Sequence, residues 1–241
     1  MRLRAVARDC LFLNWAVPRA ALQPPPEPLV YDVEADGTVL VSALLYRHEG
    51  LRLRPRSLAS LLPLSYPQLQ LRLCVRDGEG TPSVLVCSIL VPRWVLPGAR
   101  WWIGASVRSA RFELPETGSG DEEGLGWSVE SDLGALRLEA SAVDTPAERW
   151  RSVFESIRRR SRGYIAGNGG LLLLETTYPA GEAWPLRVRL ADVGLLPACL
   201  RLSEGSWPDL HSAWLAPELS LVLERGAELE LALPRQVPAP G

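Results

Sequence analysis

From Gln68 to Arg76 the chain alternates: Leu69, Leu71, Leu73 and Val75 fall between Gln68, Gln70, Arg72, Cys74 and Arg76. A period of two sends these sets to opposite faces of a β-sheet, one oily and one carrying amides and guanidinium groups. After a short polar turn, Ser83 to Val91 is apolar at nearly every position, which suits a strand covered on both faces. The polar face of the first strand is therefore expected to be covered as well. A fold built around this hairpin must enclose polar groups, and enclosed polar groups need partners.

The remaining sequence continues in the same style. Arg8–Val17 reads as a first strand, ended by Pro18 and an extended loop through the three prolines at 24–26. Val30–Val33 and Thr38–Arg47 read as a hairpin around Asp36-Gly37. Pro55, Pro63 and Pro67 leave at most one helical turn before the central hairpin. Trp127–Glu130 with Leu133–Val143 form another hairpin, and so do Gly163–Ala166 with Leu171–Thr177, turning at Asn168-Gly169. Leu186–Leu190, Ala198–Leu202, Ser212–Leu215, Leu219–Leu223 and Glu228–Leu233 supply further strands. Helical spacing occurs at Trp150, Val153, Phe154 and Ile157, after a capping box of Thr145, Pro146 and Glu148. Many strands and one main helix predict a mainly β (α+β) fold. Its expected architecture is a closed or nearly closed antiparallel β-barrel, a single domain over residues 1–241.

Composition narrows the chemistry. All 26 basic residues are arginine, and the absence of lysine excludes Schiff-base nucleophiles, phosphate-loop lysines and pyridoxal anchoring. The four cysteines at 10, 74, 87 and 199 lack C-x-x-C spacing and meet only two histidines, so neither a metal nor a cofactor is expected. A turn centred on Glu79 to Pro82 would set Cys74 opposite Cys87, and buried reduced thiols in a cytoplasm are the expected state. The acidic loop at 116–126 lacks the carboxylate spacing of a calcium loop. With a net charge of −2, no basic field draws nucleic acid. The apolar runs are too short for a membrane-spanning helix. At the N-terminus, Asp9 and Asn14 break up what superficially looks like a secretion signal. The expected partner is a small molecule, with no nucleic acid and no membrane, and with a homo-oligomer left open.

Several phrases occur in an order that resembles the YqjF-like bacterial family: FLNWAVP at 12–18, QLQLRLCVRDGEG at 68–80, PGARW at 97–101, RRRSRGY at 158–164, AWPL at 183–186 and LHSAW at 210–214. The resemblance spans nearly the whole chain. It implies a fold related to acetoacetate decarboxylase, a cone-shaped β-barrel around a small pocket for a keto acid. In that enzyme a lysine forms an imine with the substrate ketone; here that chemistry cannot operate. Where the family pattern has Glu-x-Asn-x-Arg, this chain has Gln68, Gln70 and Arg72, so only the arginine matches. Arg100 also matches an arginine of the family pattern.

Arg72 is the first candidate for ligand binding, because an arginine inside a barrel must be paired. Its partner is either a bound carboxylate or a carboxylate of the chain such as Glu139 or Glu175. Gln68 and Gln70 share its face and either orient a ligand or bond each other, and Arg100 is placed at the mouth or in a surface pair. His48 and His211 read as structural, since neighbours on a strand point opposite ways and neither has an adjacent acid–base partner. The Arg/Trp-rich segment 92–114 reads as a short helix over the barrel mouth, with base-stacking on nucleic acid as the alternative. Arg158, Arg159, Arg160 and Arg162 favour the helix dipole or, alternatively, hold an anion.

Three functional classes follow. The first is a small-molecule-binding barrel for an apolar ligand with a carboxylate or carbonyl. The second is a lyase, hydrolase or isomerase of small keto or acyl substrates. The third is a structural or interaction protein with a filled barrel.

Overall fold

The computed structural model describes residues 2–54, 64–104, 106–115, 125–143, 148–166, 170–177, 183–200 and 207–229. Outside them lie most of the acidic loop, the start of the capping box and the Asn168-Gly169 turn. The described elements, in chain order, are β1 (Arg2–Pro18), β2 (Val30–Tyr31), β3 (Thr38–Arg54), β4 (Leu64–Arg76), β5 (Pro82–Val91), α1 (Leu96–Ile103), β6 (Val107–Ser109), β7 (Arg111–Glu113) and β8 (Leu125–Ser131). Then follow β9 (Gly134–Ala142), α2 (Glu148–Arg158), β10 (Arg162–Ala166), β11 (Leu171–Thr177), β12 (Trp184–Asp192), α3 (Leu195–Leu200) and β13 (Ser212–Leu229). The protein is mainly β.

The strand path β1-β3-β4-β5-β10-β11-β13 returns to its start, because β1 pairs with both β3 and β13. Seven strands thus form a ring, and β12, β9, β8 and β7 extend from β13 as a second sheet. One face of the ring packs against that sheet through Leu13, Val41, Leu69 and Leu71, which meet Trp127, Leu136 and Leu138. The opposite face gathers Phe12, Leu44, Tyr46 and Trp214 under α2, whose Val153 and Ile157 deliver the expected apolar stripe. Phe154 meets Trp214 edge-on, with ring centroids 5.6 Å apart.

Five expectations need correction. The ring is not wholly antiparallel: β10 lies parallel to β5. A parallel neighbour requires a long crossover, and here α1, the second sheet's first strands and α2 supply it. The strand expected at Ala198–Leu202 gives way to α3, whose Leu195, Leu196 and Leu200 are buried. The strands expected at Ser212–Leu215 and Leu219–Leu223, on either side of Pro217, are one strand, β13, which runs on to Leu229; the rest of the strand expected at Glu228–Leu233 lies outside the described residues. The register of β13 with β1 runs unbroken from Arg8↔Glu218 to Cys10↔Ala216, so Pro217, which has no N–H to give, stands opposite Asp9, whose φ is 52° and which lies where β1 bulges in its pairing with β3. Cys74 faces Val84 rather than Cys87, and all four cysteines are free thiols. Of the predicted hairpin at 30–47, a bridge between Val33 and Val39 remains, while β2 pairs with β4.

The arginines that end α2 are used internally. Arg160 reaches Asp32 at 2.6 Å, and Arg162 meets Asp77 at 3.3 Å and Glu79 at 3.2 Å. Asp77 also accepts from the Tyr164 hydroxyl and from the Glu79 and Thr81 amides, tying the β4–β5 turn to β10.

Candidate functional site

Antiparallel register carries the site's side chains from two strands to one place. On β3 and β4 the cross-strand pairs are Ser42↔Arg72, Leu44↔Gln70, Tyr46↔Gln68 and His48↔Tyr66. Residues directly opposite share a face, so the polar row read from β4 acquires a second row from β3. Of these side chains, Tyr46, His48, Tyr66, Gln68 and Gln70 line a cavity of about 390 Å³. Ile89, Ile165, Leu174 and Leu221 close it from β5, β10, β11 and β13, and convergence from so many ring strands marks it as the ring's interior face. Over it lies α1, with Val95, Gly98, Ala99, Trp101 and Ile103 on the lining and Trp94 at its approach. The helix expected over the mouth is therefore present, and it starts with Pro97 in its first turn.

The polar end of the cavity is one connected cluster. The Tyr46 hydroxyl lies 2.7 Å from Gln68 Nε2, 2.9 Å from Gln70 Nε2 and 3.3 Å from His48 Nε2. His48 Nε2 in turn lies 3.0 Å from Gln68 Oε1. All four residues are buried, Tyr46 completely. Burial holds the His48 imidazole down to about 4, outweighing its bond to Gln68, so it is neutral at pH 7. Burial also pushes the Tyr46 and Tyr66 phenols above their ordinary value. Among the described residues no lining residue carries a charge, which makes this an apolar, aromatic chamber with a neutral hydrogen-bonding end.

Two groups in it are open to a ligand. The Tyr66 hydroxyl makes no hydrogen bond among the described residues and is not enclosed, and its ring packs 4.7 Å from His48 and 6.0 Å from Trp94, centroid to centroid. Only one end of the Gln70 amide is bonded within the cluster; the other has no protein partner among the described residues and is likewise not enclosed. His48 Nδ1, in contrast, is enclosed and without a partner.

Of the sequence candidates, Gln68 and Gln70 line the cavity, whereas Arg72 and Arg100 do not. Arg72 is 3% exposed, one register step beyond Gln70, where Nη2 donates to Ser42 Oγ at 3.1 Å and Cζ sits 5.2 Å from the centre of the Phe12 ring. Its Nε has no acceptor, and among the described residues no carboxylate lies within ion-pair distance, neither Glu139 nor Glu175 included. Arg100 is exposed on α1 and donates Nε to the Val107 carbonyl at 3.2 Å. Tyr46 and Tyr66 escaped the sequence reading, and His48 reads there as structural. The available signal was their parity on β3 and β4, which becomes visible once the register is known.

Solved structures, an acetoacetate decarboxylase-like enzyme among them, superimpose on this chain and share its fold. The enduracididine biosynthesis enzyme MppR, complexed with the condensation product of pyruvate and imidazole 4-carboxaldehyde, matches with a TM-score of 0.64 at 14% identity, over 97% of this chain and 91% of that one. An acetoacetate decarboxylase-like enzyme from Sphingomonas wittichii RW1 matches with a TM-score of 0.61 at 15% identity, over 95% of this chain and 93% of that one. Residues 4–211 match DUF2071, described as "Uncharacterized conserved protein", and the chain belongs to this YqjF-like family. No curated protein matches it significantly in sequence. Among the described residues no cluster of metal-ligating side chains occurs, and no helix is long and apolar enough to cross a membrane.

Proposed function

We propose that the ring is a closed barrel and that the protein binds a small apolar molecule inside it, gripping one carbonyl group at the Tyr46–His48–Gln68–Gln70 end. The observation that carries this reading is the charge-free aromatic chamber with unbonded polar groups at one end. A packed structural core would have closed such a space, because interiors are filled to near crystal density. Binding sites are apolar cavities with a few placed polar groups, and about 390 Å³ falls in their usual range of roughly 300–1,000 Å³. A neutral carbonyl suits this end better than a carboxylate, since the described residues of the cavity wall offer no cation and a buried charge is costly. Gln68 and Gln70 are the proposed contacts. Arg72 contributes positive potential from behind them, and Arg100 acts only through α1.

The test uses Gly98, which faces the cavity from α1 and whose added Cβ would meet nothing within 4 Å. Gly98→Leu fills the chamber without a backbone clash. Native mass spectrometry of freshly purified wild type, together with tryptophan-fluorescence titration with 2-nonanone, is expected to show a bound small molecule that the variant loses. Equal binding by both proteins would place the ligand elsewhere and refute the reading.

A further inference from the structure

The hydrogen bonds at the polar end do not close as a set unless one amide is reversed. With the Gln68 and Gln70 nitrogens both donating to it, the Tyr46 hydroxyl has no lone pair left and must place its own proton. The third neighbour, His48 Nε2, cannot take it while Nε2 carries the hydrogen that Gln68 Oε1 accepts. Tyr46 is completely buried, so no solvent reaches that proton. A half-turn of the Gln70 amide resolves the conflict: Tyr46 donates to Gln70 Oε1, and the Gln70 NH₂ turns to the cavity.

A second closed arrangement exists, with the opposite direction. A half-turn of Gln68 lets its nitrogen donate to a bare His48 Nε2 and its oxygen take the Tyr46 proton, while Gln70 presents its carbonyl to the cavity. This order moves the imidazole hydrogen to Nδ1, which is enclosed and without a partner. An orphaned buried N–H is rarer than an orphaned acceptor, so the first direction prevails.

We propose that His48, Gln68, Tyr46 and Gln70 form a single-file hydrogen-bond chain, running from His48 Nε2–H outward, whose cavity end is the Gln70 amide donating to the carbonyl oxygen of the bound molecule. This rests on the binding reading above and adds its chemical selectivity: an acceptor-headed ligand, with Gln70 as the contact and Tyr46 and His48 as positioning residues. Tyr66, opposite His48 in the register, supplies the second donor.

Two measurements test it. The chain holds only two histidines, so ¹⁵N-histidine labelling gives two ring systems, and His211→Gln identifies which belongs to His48. His48 is expected with a pyrrole-type Nε2 and a pyridine-type Nδ1 at pH 7. The reverse tautomer would overturn the chain's direction, with or without a ligand. The second measurement compares 2-nonanone with nonane by tryptophan-fluorescence titration. Gln70→Leu and Tyr46→Phe are each expected to lower the ketone-to-alkane affinity ratio about three- to tenfold, the worth of one neutral hydrogen bond, while nonane binding reports that the cavity is intact. An unchanged ratio in both variants overturns the donor assignment. Binding of neither probe to the wild type instead overturns the binding reading, and the donor role of Gln70 with it.

Discussion

Lowering the pH should weaken this fold through one imidazole. His48 titrates near 6.5 in an unfolded chain and near 4 in the folded one, because burial disfavours its cation. Between those values the unfolded state binds the proton and the native state does not, so stability falls as the pH drops from 6.5 toward 4 and is fully present above 6.5. At about 1.4 kcal/mol per pH unit, the whole displacement is worth about 3 kcal/mol, and about 2 kcal/mol of it is lost between pH 7 and pH 4.5. Carboxylates also titrate in this window, so the measurement is a difference. Urea unfolding of wild type and His48→Gln, followed by tryptophan fluorescence at both pH values, should show the wild type losing about 2 kcal/mol more than the variant. His48→Gln keeps a hydrogen-bonding side chain and removes the titration. Equal losses in the two proteins, or an NMR titration of His48 near 6.5, would refute the argument that this ring is held neutral by burial.

Two further perturbations probe the frame around the cavity. Arg72→Met removes a buried cation that has no carboxylate partner among the described residues, so the urea midpoint should stay level or rise; a loss above about 2 kcal/mol would mean the charge is compensated. Gly134 has φ +133°, and a Cβ there would stand 3.0 Å from the Gly194 carbonyl carbon, so Gly134→Ala should lower stability by about 2 kcal/mol or more in thermal melts, whereas an unchanged melting temperature would show that the α3 entry yields freely.

The sequence made the β4 face legible because a two-residue period survives without any knowledge of neighbours, and Gln68 and Gln70 do line the cavity. It hid His48 for a corresponding reason. The test applied to His48 asked what stands next to it in sequence, yet its partners Tyr66 and Gln68 come from β4, 18 and 20 residues further along, through a register that local spacing does not encode. The six residues of α3 are almost uniformly apolar, and a short run of that kind has no periodicity to separate a buried helix from a buried strand. Pro217 misled in the opposite sense. It marks a break only if its strand is considered alone, and the residue it stands opposite, Asp9, lies on β1, more than two hundred residues earlier. The parallel step between β5 and β10 likewise depends on where a long crossover returns, which belongs to topology and not to either strand's composition.

The pairing of β1 with β13 has a consequence for how the chain is made. During synthesis β1 can pair with β3 almost at once, but its other edge must wait until residues 212–229 have left the ribosome. For most of translation the nascent chain therefore carries a long strand with one row of backbone donors and acceptors unpaired, the kind of template on which neighbouring chains add. Arg2, Arg4 and Arg8 punctuate the first half of that edge. Charge at an unfinished seam is a recognised means of keeping chains apart, and here it stands where closure is slowest to arrive.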